Sequence, residues 1–184
     1  MRPDDLDQLI LSALSGDMTA LEALYDTLEG CVYALALSIV RNPSTAQDIT
    51  QETFVKICTS GASFTPKGFG KAWVLKIARN LALAAYKRNT RFVDIDYLPE
   101  SAFSDDNQSA DAQLDHILLK AALEKLDAEE RQIVLLHASG LKHDEIAPIV
   151  ARPAATVRWK YAQAIKKLSH WMGETSEGRD GHAN

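Results

Sequence analysis

Residues 145–168 read EIAPIVARPAATVRWKYAQAIKKL, two apolar-striped stretches separated at Ala151-Arg152-Pro153. On the second stretch the apolar residues recur at the spacing of one helix face, and they are Val157, Tyr161, Ala164 and Leu168. The rest of that helix carries polar, basic and aromatic residues without an acid, namely Thr156, Arg158, Trp159, Lys160, Gln163, Lys166 and Lys167. Two helices joined by a tight turn predict a helix-turn-helix whose second helix enters the DNA major groove. The alternative is an amphipathic helix with an ordinary solvated face.

Helical periodicity continues through nearly all of the chain, and no run alternates apolar and polar residues as a strand would. The fold class predicted for the 184 residues is therefore all-α. Helices are predicted at about 4–15, 17–41, 44–59 and 71–90, followed by helical stretches at 110–126 and 128–138 and by the helix pair. A capping box is predicted at Ser44-Thr45-Ala46-Gln47, where the third helix begins.

The charges are segregated along the chain although the net charge is only -5. Residues 71–91 carry six basic side chains and no acid, 92–119 carry seven acids and no Lys or Arg, and 154–172 are basic again. The acidic stretch 92–110 contains Pro99 and several Ser, Asn and Asp residues, which indicates a flexible linker. Two small helical domains are therefore predicted at 1–91 and 111–172, with a disordered tail at 173–184.

Several function classes receive no support from the sequence. The N-terminus carries acids where a secretory signal carries basic residues, and the apolar run Cys31–Val40 is about half the length of a membrane span. We therefore expect a cytoplasmic protein without membrane insertion. Cys31 and Cys58 lack CxxC spacing, the five histidines lack metal-ligand spacing, and no nucleotide-binding or hydrolase motif is present. Neither a metal, a cofactor nor an enzymatic activity is predicted.

Four motifs in a fixed order carry a family resemblance. They are Asp48-x-x-Gln51-Glu52-Thr53-Phe54, Ala72-Trp73, Ile77-Ala78-Arg79-Asn80, and the helix-turn-helix within 126–168. The first three resemble region two of the sigma-70 family, and the last resembles its region four. Because only the acidic linker separates them, the chain resembles the extracytoplasmic-function sigma factors. The resemblance covers roughly residues 15–170.

The resemblance implies a docking site for core RNA polymerase on the third helix. In the family the corresponding polar face binds the clamp helices of the largest catalytic subunit, which implicates Asp48, Gln51, Glu52 and Lys56. The other side of this helix is predicted to be buried through Ile49, Phe54, Val55 and Ile57.

The resemblance also implies two promoter DNA contacts. The loop 61–70 and the helix after it are expected to capture the melted minus-ten element and hold an unstacked base, through Phe64, Lys67, Phe69, Lys76, Arg79, Asn80, Lys87 and Arg88. The polar residues of the 154–168 helix are expected to read the minus-thirty-five element. Trp73, Ile77, Leu81 and Ala84 are expected to form the core stripe of the 71–90 helix.

The function implied is an alternative sigma factor, which directs core polymerase to a promoter set and is expected to be held inactive by an anti-sigma factor. A mimic that only sequesters an anti-sigma factor and a helix-turn-helix repressor are the alternatives. Several positions depart from the family pattern, including Gln163 and Ile165 on the second helix, where basic residues are common, and two positions around the first helix. Ala151 stands in the turn where Gly is usual, and Lys142 stands where a Ser or Thr commonly caps the first helix, so that Asp144 is an alternative cap.

Overall fold

The computed structural model describes residues 3–59, 64–89 and 121–180, and over these residues the chain is helical without a strand. The all-α prediction is confirmed. The helices are α1 (Pro3–Leu14), α2 (Met18–Val40), α3 (Pro43–Thr59), α4 (Gly70–Asn89), α5 (Ala128–Ala138), α6 (His143–Val150) and α7 (Ala154–Asp180). A further helical segment at 121–124 precedes α5.

Helix α2 is the centre of the molecule. Its buried residues include Leu24, Leu28, Val32 and Leu35, and it packs against α1, α3, α4 and α5. Among the described helices α2 alone is long and apolar enough to cross a membrane, but its burial by four neighbours identifies it as a core helix of the fold. Asp17 caps its N-terminus by accepting hydrogen bonds from the backbone N–H groups of Thr19 and Ala20.

Helix α3 begins one residue earlier than predicted. Asn42 caps it by accepting a hydrogen bond from the Thr45 N–H at 2.9 Å, and Pro43 occupies the first helical position. Proline suits that position because its missing N–H would have no partner within the helix. The predicted Ser44–Gln47 capping box was therefore wrong.

The C-terminal module is formed by α5, α6 and α7. Asp127 and Glu130 make a capping box at the start of α5, with each side chain accepting from the other residue's backbone N–H. The apolar faces of the three helices meet through Ile133, Leu136, Ile146 and Val157, all of which are buried. The predicted helix-turn-helix thus consists of α6 and α7.

The two modules pack against each other through α2 with α5 and through α4 with α6. One core cluster contains apolar residues of both modules, and a second, smaller cluster of Ala122, Leu126, Ala164 and Leu168 lies within the C-terminal module. Buried Arg131 of α5 donates to the carbonyl oxygens of Leu123 and Leu126 and, across the interface, to that of Ser38 at 3.4 Å. Lys71 donates across the same interface to the Ser139 carbonyl oxygen.

Several predicted segments extend beyond the described residues, among them residues 61–63 of the loop 61–70 and residues 110–120 of the helical stretch 110–126. The acidic linker 92–110 lies entirely outside them, and so do residues 181–184 of the predicted disordered tail. The rest of that tail was predicted wrongly, because α7 extends to Asp180. Helices propagate readily once nucleated, and the glycines of this segment raise the free energy of the helix by only about 1 kcal/mol each.

Helix α6 begins at His143, so Lys142 occupies the capping position and the alternative cap at Asp144 was wrong. The Glu145 carboxylate accepts a hydrogen bond from the Lys142 N–H at 2.6 Å and satisfies one of the free groups at this end. At the other end, Ala151 has φ 56° and ψ 47°, the left-handed conformation that favours glycine.

A small aromatic cluster joins the three helices of the C-terminal module. The ring of His143 lies 4.9 Å from that of His137 on α5 and 5.0 Å from that of Tyr161 on α7. The Nε2 atom of His143 is buried and has no hydrogen-bond partner among the described residues. Burial, followed by the proximity of His137 and Arg158, lowers the pKa of His143, against the smaller opposite effect of Asp144.

The strained turn predicts a stabilising substitution. Replacing Ala151 by Gly should raise the free energy of unfolding by about 1 kcal/mol, because Gly adopts the left-handed conformation without a Cβ clash. Chemical denaturation measures this change. The same substitution at the exposed Ala162, inside α7, should instead lower it by about 1 kcal/mol. Equal effects at the two positions would contradict the assignment of strain to the turn.

The histidine cluster predicts a pH-dependent stability. Because the folded pKa of His143 lies below its unfolded value of about 6.5, the unfolded chain binds more protons just below that pH. The free energy of unfolding should therefore be highest above a pH of about 6.5 and should decrease as the pH drops toward the folded pKa of His143. Urea unfolding across this range tests it. His143→Phe should reduce the dependence of the unfolding free energy on pH, whereas His170→Phe should leave that dependence unchanged. If His143→Phe showed the same slope as wild type, His143 would not be the source of the pH dependence.

Candidate polymerase and nucleic-acid interfaces

The predicted polymerase-docking residues share one exposed face of α3. Asp48, Gln51, Glu52 and Lys56 are all exposed, at the spacing of neighbouring turns of a helix. Val55 lies within the same stripe and is 64% exposed. The prediction that Val55 is buried was therefore wrong, whereas Ile49, Phe54 and Ile57 are buried as predicted. An apolar side chain among charged ones is a common centre for a protein interface, and α3 thus offers five contacts where the sequence indicated four.

The loop before α4 exposes one of its two aromatic residues. The ring of Phe64 lies 4.9 Å from that of Trp73 and is partly buried, whereas Phe69 is 52% exposed and Lys67 is also exposed. Phe69 stands directly before Gly70, the first residue of α4, and its carbonyl oxygen accepts the Trp73 N–H at 3.0 Å. The loop therefore offers a single accessible ring for stacking, and that ring belongs to Phe69.

Buried Asp7 of α1, one of the acids near the N-terminus, holds this loop. Its two carboxylate oxygens accept hydrogen bonds from the Gly68 N–H at 2.7 Å and from the Gly70 N–H at 2.8 Å. Sequence spacing gives no signal for this contact, because Asp7 and Gly68 are 61 residues apart.

Helix α4 presents most of the predicted minus-ten residues to the exterior. Lys76, Asn80, Lys87 and Arg88 are exposed, and Tyr86, an aromatic residue outside the predicted set, is 45% exposed beside them. Aromatic rings and cations together are what single-stranded nucleic acid binds.

The buried stripe of α4 differs from the predicted one. It consists of Ala72, Val74, Leu75, Ala78, Ala82 and Ala85. Trp73, Ile77 and Leu81 are only partly buried at its edge, and Ala84 is exposed. Small residues in the stripe let α4 lie close to its neighbours, while the larger aromatic and aliphatic residues cover the edge.

Arg79 is held at the interface between the modules. Its Nε donates to the Gln132 side-chain oxygen at 2.7 Å, and one of its terminal nitrogens donates to the Ile149 carbonyl oxygen at 3.0 Å. Burial lowers the pKa of this guanidinium, an effect that the charge of Glu129 opposes. In this arrangement the side chain of Arg79, a predicted minus-ten residue, is already hydrogen-bonded to the C-terminal module.

The polar face of α7 divides into two parts. The outward part holds Arg158 and Lys166, both exposed, with Trp159 at 60% exposure between them in sequence. Arg158 also approaches Asp144 to 3.5 Å, but both side chains are more than half exposed, so this ion pair contributes little. Thr156 and Gln163 are half-buried at the margins of the face.

The other two lysines form ion pairs with acids at the start of α5, and of the two Lys167 is still 49% exposed. Lys160 lies 3.1 Å from a Glu129 oxygen and 3.4 Å from an Asp127 oxygen, and its side chain is only 19% exposed. Lys167 contacts both carboxylate oxygens of Glu130 at 2.6 and 2.8 Å. Burial alone would lower the pKa of Lys160, but its hydrogen bond to Glu129 and the charges of Asp127 and Glu129 raise it overall. Both lysines therefore fasten α7 to the start of α5.

The charge network at the start of α5 also includes Arg152 of the turn. Its Nε donates to a Glu129 oxygen at 2.7 Å. Burial would raise the pKa of Glu129, but the hydrogen bonds from Arg152 and Lys160 lower it, so the carboxylate stays charged. The pKa of Asp127 is lowered in the same way, since backbone hydrogen bonding and Lys160 outweigh its burial. The acids thus neutralise part of the basic character counted from the sequence.

Comparison with known proteins agrees with this division into modules. Residues 24–92 match the Sigma-70 region 2 family, and residues 116–168 match the Sigma-70, region 4 family. The chain is 27% identical over 180 residues to the ECF RNA polymerase sigma factor SigK of Mycolicibacterium vanbaalenii, covering 92% of this chain and 90% of that one. It is 29% identical over 140 residues to the ECF RNA polymerase sigma factor EcfG of Rhodopseudomonas palustris, covering 74% and 76%.

Two solved structures share the fold. CnrH in complex with the cytosolic domain of CnrY superposes with a TM-score of 0.66 at 24% identity, covering 91% of this chain and 97% of that chain. The sigma factor RpoE in complex with the anti-sigma factor NepR from Bartonella quintana gives 0.62 at 23% identity, covering 83% and 96%. Because both region families match in order, and the curated relatives align along most of their own length, the chain belongs to the sigma-70 family, in its extracytoplasmic-function group.

Proposed function

We propose that this chain is an alternative sigma factor that binds core RNA polymerase and directs it to a dedicated set of promoters. The observation that carries the proposal is that the exposed docking stripe of α3 and the exposed cations and aromatic ring of α7 occur on one chain, within the two matched regions. Such a protein has no catalytic step of its own, because polymerase performs the chemistry. It acts where polymerase is, in the cytoplasm.

Recognition of the minus-thirty-five element is assigned to the outward part of α7. Arg158 and Lys166 can reach phosphates or base edges, and Trp159 offers an apolar surface to a sugar or a thymine methyl group. Lys160 and Lys167 act indirectly. Their ion pairs with acids at the start of α5 fix the orientation of α7. Phosphate attraction on this helix therefore rests on fewer cations than the sequence contains.

The minus-ten element is assigned to Phe69, Lys67 and the exposed residues of α4. A base unstacked from the melted strand can stack on the exposed ring of Phe69 while the cations of α4 hold the backbone. Docking on polymerase is assigned to the α3 stripe, with Val55 added to the residues expected from the family. These three assignments place polymerase and DNA contacts on separate helices.

Promoter binding by Arg79 requires the modules to separate. The guanidinium cannot keep its bonds to Gln132 and Ile149 while it contacts DNA phosphates. The packed arrangement is accordingly an inactive form of the factor, and polymerase and promoter select the separated form through the surfaces that it exposes.

An anti-sigma factor is proposed as the regulatory partner. Both similar structures are complexes, one with the cytosolic domain of CnrY and the other with the anti-sigma factor NepR. A partner that covers the α3 stripe or the exposed face of α7 would block polymerase or DNA directly. The two alternatives differ in what they retain: a mimic needs no promoter contact from α7, and a repressor needs no polymerase-docking stripe on α3.

Transcription from a genomic promoter library, with purified chain and bacterial core polymerase, tests the proposal. Wild type should yield specific transcripts. Arg158→Ala/Lys166→Ala should lose them by at least about tenfold, because two DNA contacts are removed, while still binding core polymerase. A matched variant, Lys125→Ala/Lys142→Ala, removes the same number of positive charges outside α7 and should still yield the specific transcripts.

The polymerase contact needs its own variant. Glu52→Lys should abolish core binding without unfolding the chain, because its side chain is exposed. Core binding by wild type without any specific transcript would identify the chain as a mimic. Failure of wild type to bind core polymerase would refute the sigma assignment and favour a repressor.

The closed packing predicts a variant with enhanced binding. Gln132→Ala removes the side chain that accepts from Arg79, so the separated form should be more populated. The affinity for core polymerase should rise by about two- to tenfold, which corresponds to the roughly 0.5–1.5 kcal/mol that a typical hydrogen bond contributes, because Arg79 keeps its second bond to Ile149. Fluorescence anisotropy with labelled core polymerase measures this affinity. The control is Gln8→Ala, at an exposed position of α1. Unchanged or weaker binding by Gln132→Ala would argue against a competing closed form.

A further inference from the structure

The loop before α4 is fixed by a single carboxylate that belongs to a distant helix. Asp7 is 3% exposed, and its two oxygens accept from the N–H groups of Gly68 and Gly70, on either side of Phe69. A buried carboxylate without its hydrogen bonds would be strongly destabilising, so both bonds are tightly required. The backbone that carries Phe69 is thereby held at two adjacent points.

The surroundings of Gly68 and Gly70 leave little freedom for another arrangement. Gly68 has φ 74°, a conformation that favours glycine. At Gly70 a Cβ atom would lie 2.6 Å from an Asp7 oxygen and 2.7 Å from the terminal carbon of Ile10, so helix α1 approaches the backbone too closely for a side chain. Because Gly70 begins α4, the carboxylate also lies at the positive end of that helix, which stabilises its charge.

The element that this anchor holds is exposed rather than buried. The ring of Phe69 is 52% exposed although it stands between two backbone groups bound to a buried acid. Folding alone gives no reason to fix an aromatic ring that faces solvent, whereas stacking with a base benefits from a ring held in place before binding. Partly buried Phe64, whose ring packs at a tilt against that of Trp73, supports the same loop from its other end.

We propose that Asp7 is a positioning residue for promoter recognition, which holds Phe69 as a preformed platform for one unstacked base of the minus-ten element. The proposal rests on the proposed function and deepens it. It assigns to α1, a helix outside both matched regions, a part in reading DNA. Asp7 itself touches no base and acts through the loop.

A double-mutant cycle on the reconstituted holoenzyme tests the proposal. The variants are Asp7→Asn, which keeps the shape but turns an amide N–H group toward a backbone N–H, Phe69→Ala, and the pair together. The probes are fork-shaped promoter fragments from a promoter that wild type transcribes, carrying each of the four bases or an abasic site at every position of the single-stranded minus-ten element. Affinity for each probe and affinity for core polymerase are both measured.

The proposal expects a selective loss. Phe69→Ala should reduce discrimination between base and abasic site at one position by at least about fivefold, the range of a single stacked base. Asp7→Asn should reduce it at the same position, and the pair should lose little more than either variant alone. Core binding should stay within about twofold, because α3 is untouched. Asp26→Asn, the same change at an exposed acid of α2, should match wild type.

Several results would overturn the proposal. Unchanged discrimination in Asp7→Asn, losses in the two variants that simply add, or a uniform loss of core and DNA binding would leave Asp7 a structural residue only. Phe69 is half exposed, so its variant should fold even if Asp7→Asn does not, and intact discrimination in Phe69→Ala would by itself refute the platform. These results all require a wild type that transcribes, so they are distinguishable from failure of the sigma assignment, in which wild type yields no specific transcript.

Discussion

The structure depends on burial of the apolar surface of α2. This helix contacts the three other helices of the N-terminal module and also α5 of the C-terminal module, so one apolar core serves both. Each buried aliphatic side chain contributes roughly 1.5–3 kcal/mol, and residues such as Leu24, Leu28 and Leu35 are almost fully buried. The three surfaces proposed to bind polymerase or DNA lie outside this core, on the far face of α3, the loop before α4 and the outer face of α7.

Buried polar groups determine how those surfaces are presented. Asp7 holds the loop before α4, Arg131 connects the approach to α5 with α2, and Glu130 both caps α5 and receives Lys167. Each is a charged side chain that makes at least one hydrogen bond to a group on another element. Such contacts are costly to break one at a time, because the group left behind stays buried without a partner. They fix orientation more than they add to stability.

The sequence predicted the helices well because apolar periodicity and turn residues are local signals. The predictions were wrong where the burial of a residue depends on contacts between elements that are distant in sequence. Val55 was assigned to the core although it occupies the exposed stripe of α3, and the buried stripe of α4 was assigned to Trp73 and Ala84 although close packing selects the small residues beside them. The start of α3 was misplaced because Ser44 was predicted as its cap, whereas Asn42 caps the helix.

Contacts between distant elements also determine which of the predicted site residues are available to bind DNA. Charge and periodicity placed Lys160 and Lys167 on the DNA-reading face, but a long lysine side chain can bend back to an acid, and those acids lie at the start of α5, 30 or more residues earlier in the chain. Arg79 is a further case, because its partners Gln132 and Ile149 belong to the other module. Which cations meet DNA is therefore decided by tertiary structure, and in particular by whether the modules are together or apart. Under the proposed minus-ten role of Arg79, the free energy needed to break its bonds to Gln132 and Ile149 lowers the affinity for promoter DNA, and any partner that keeps the modules packed lowers that affinity further.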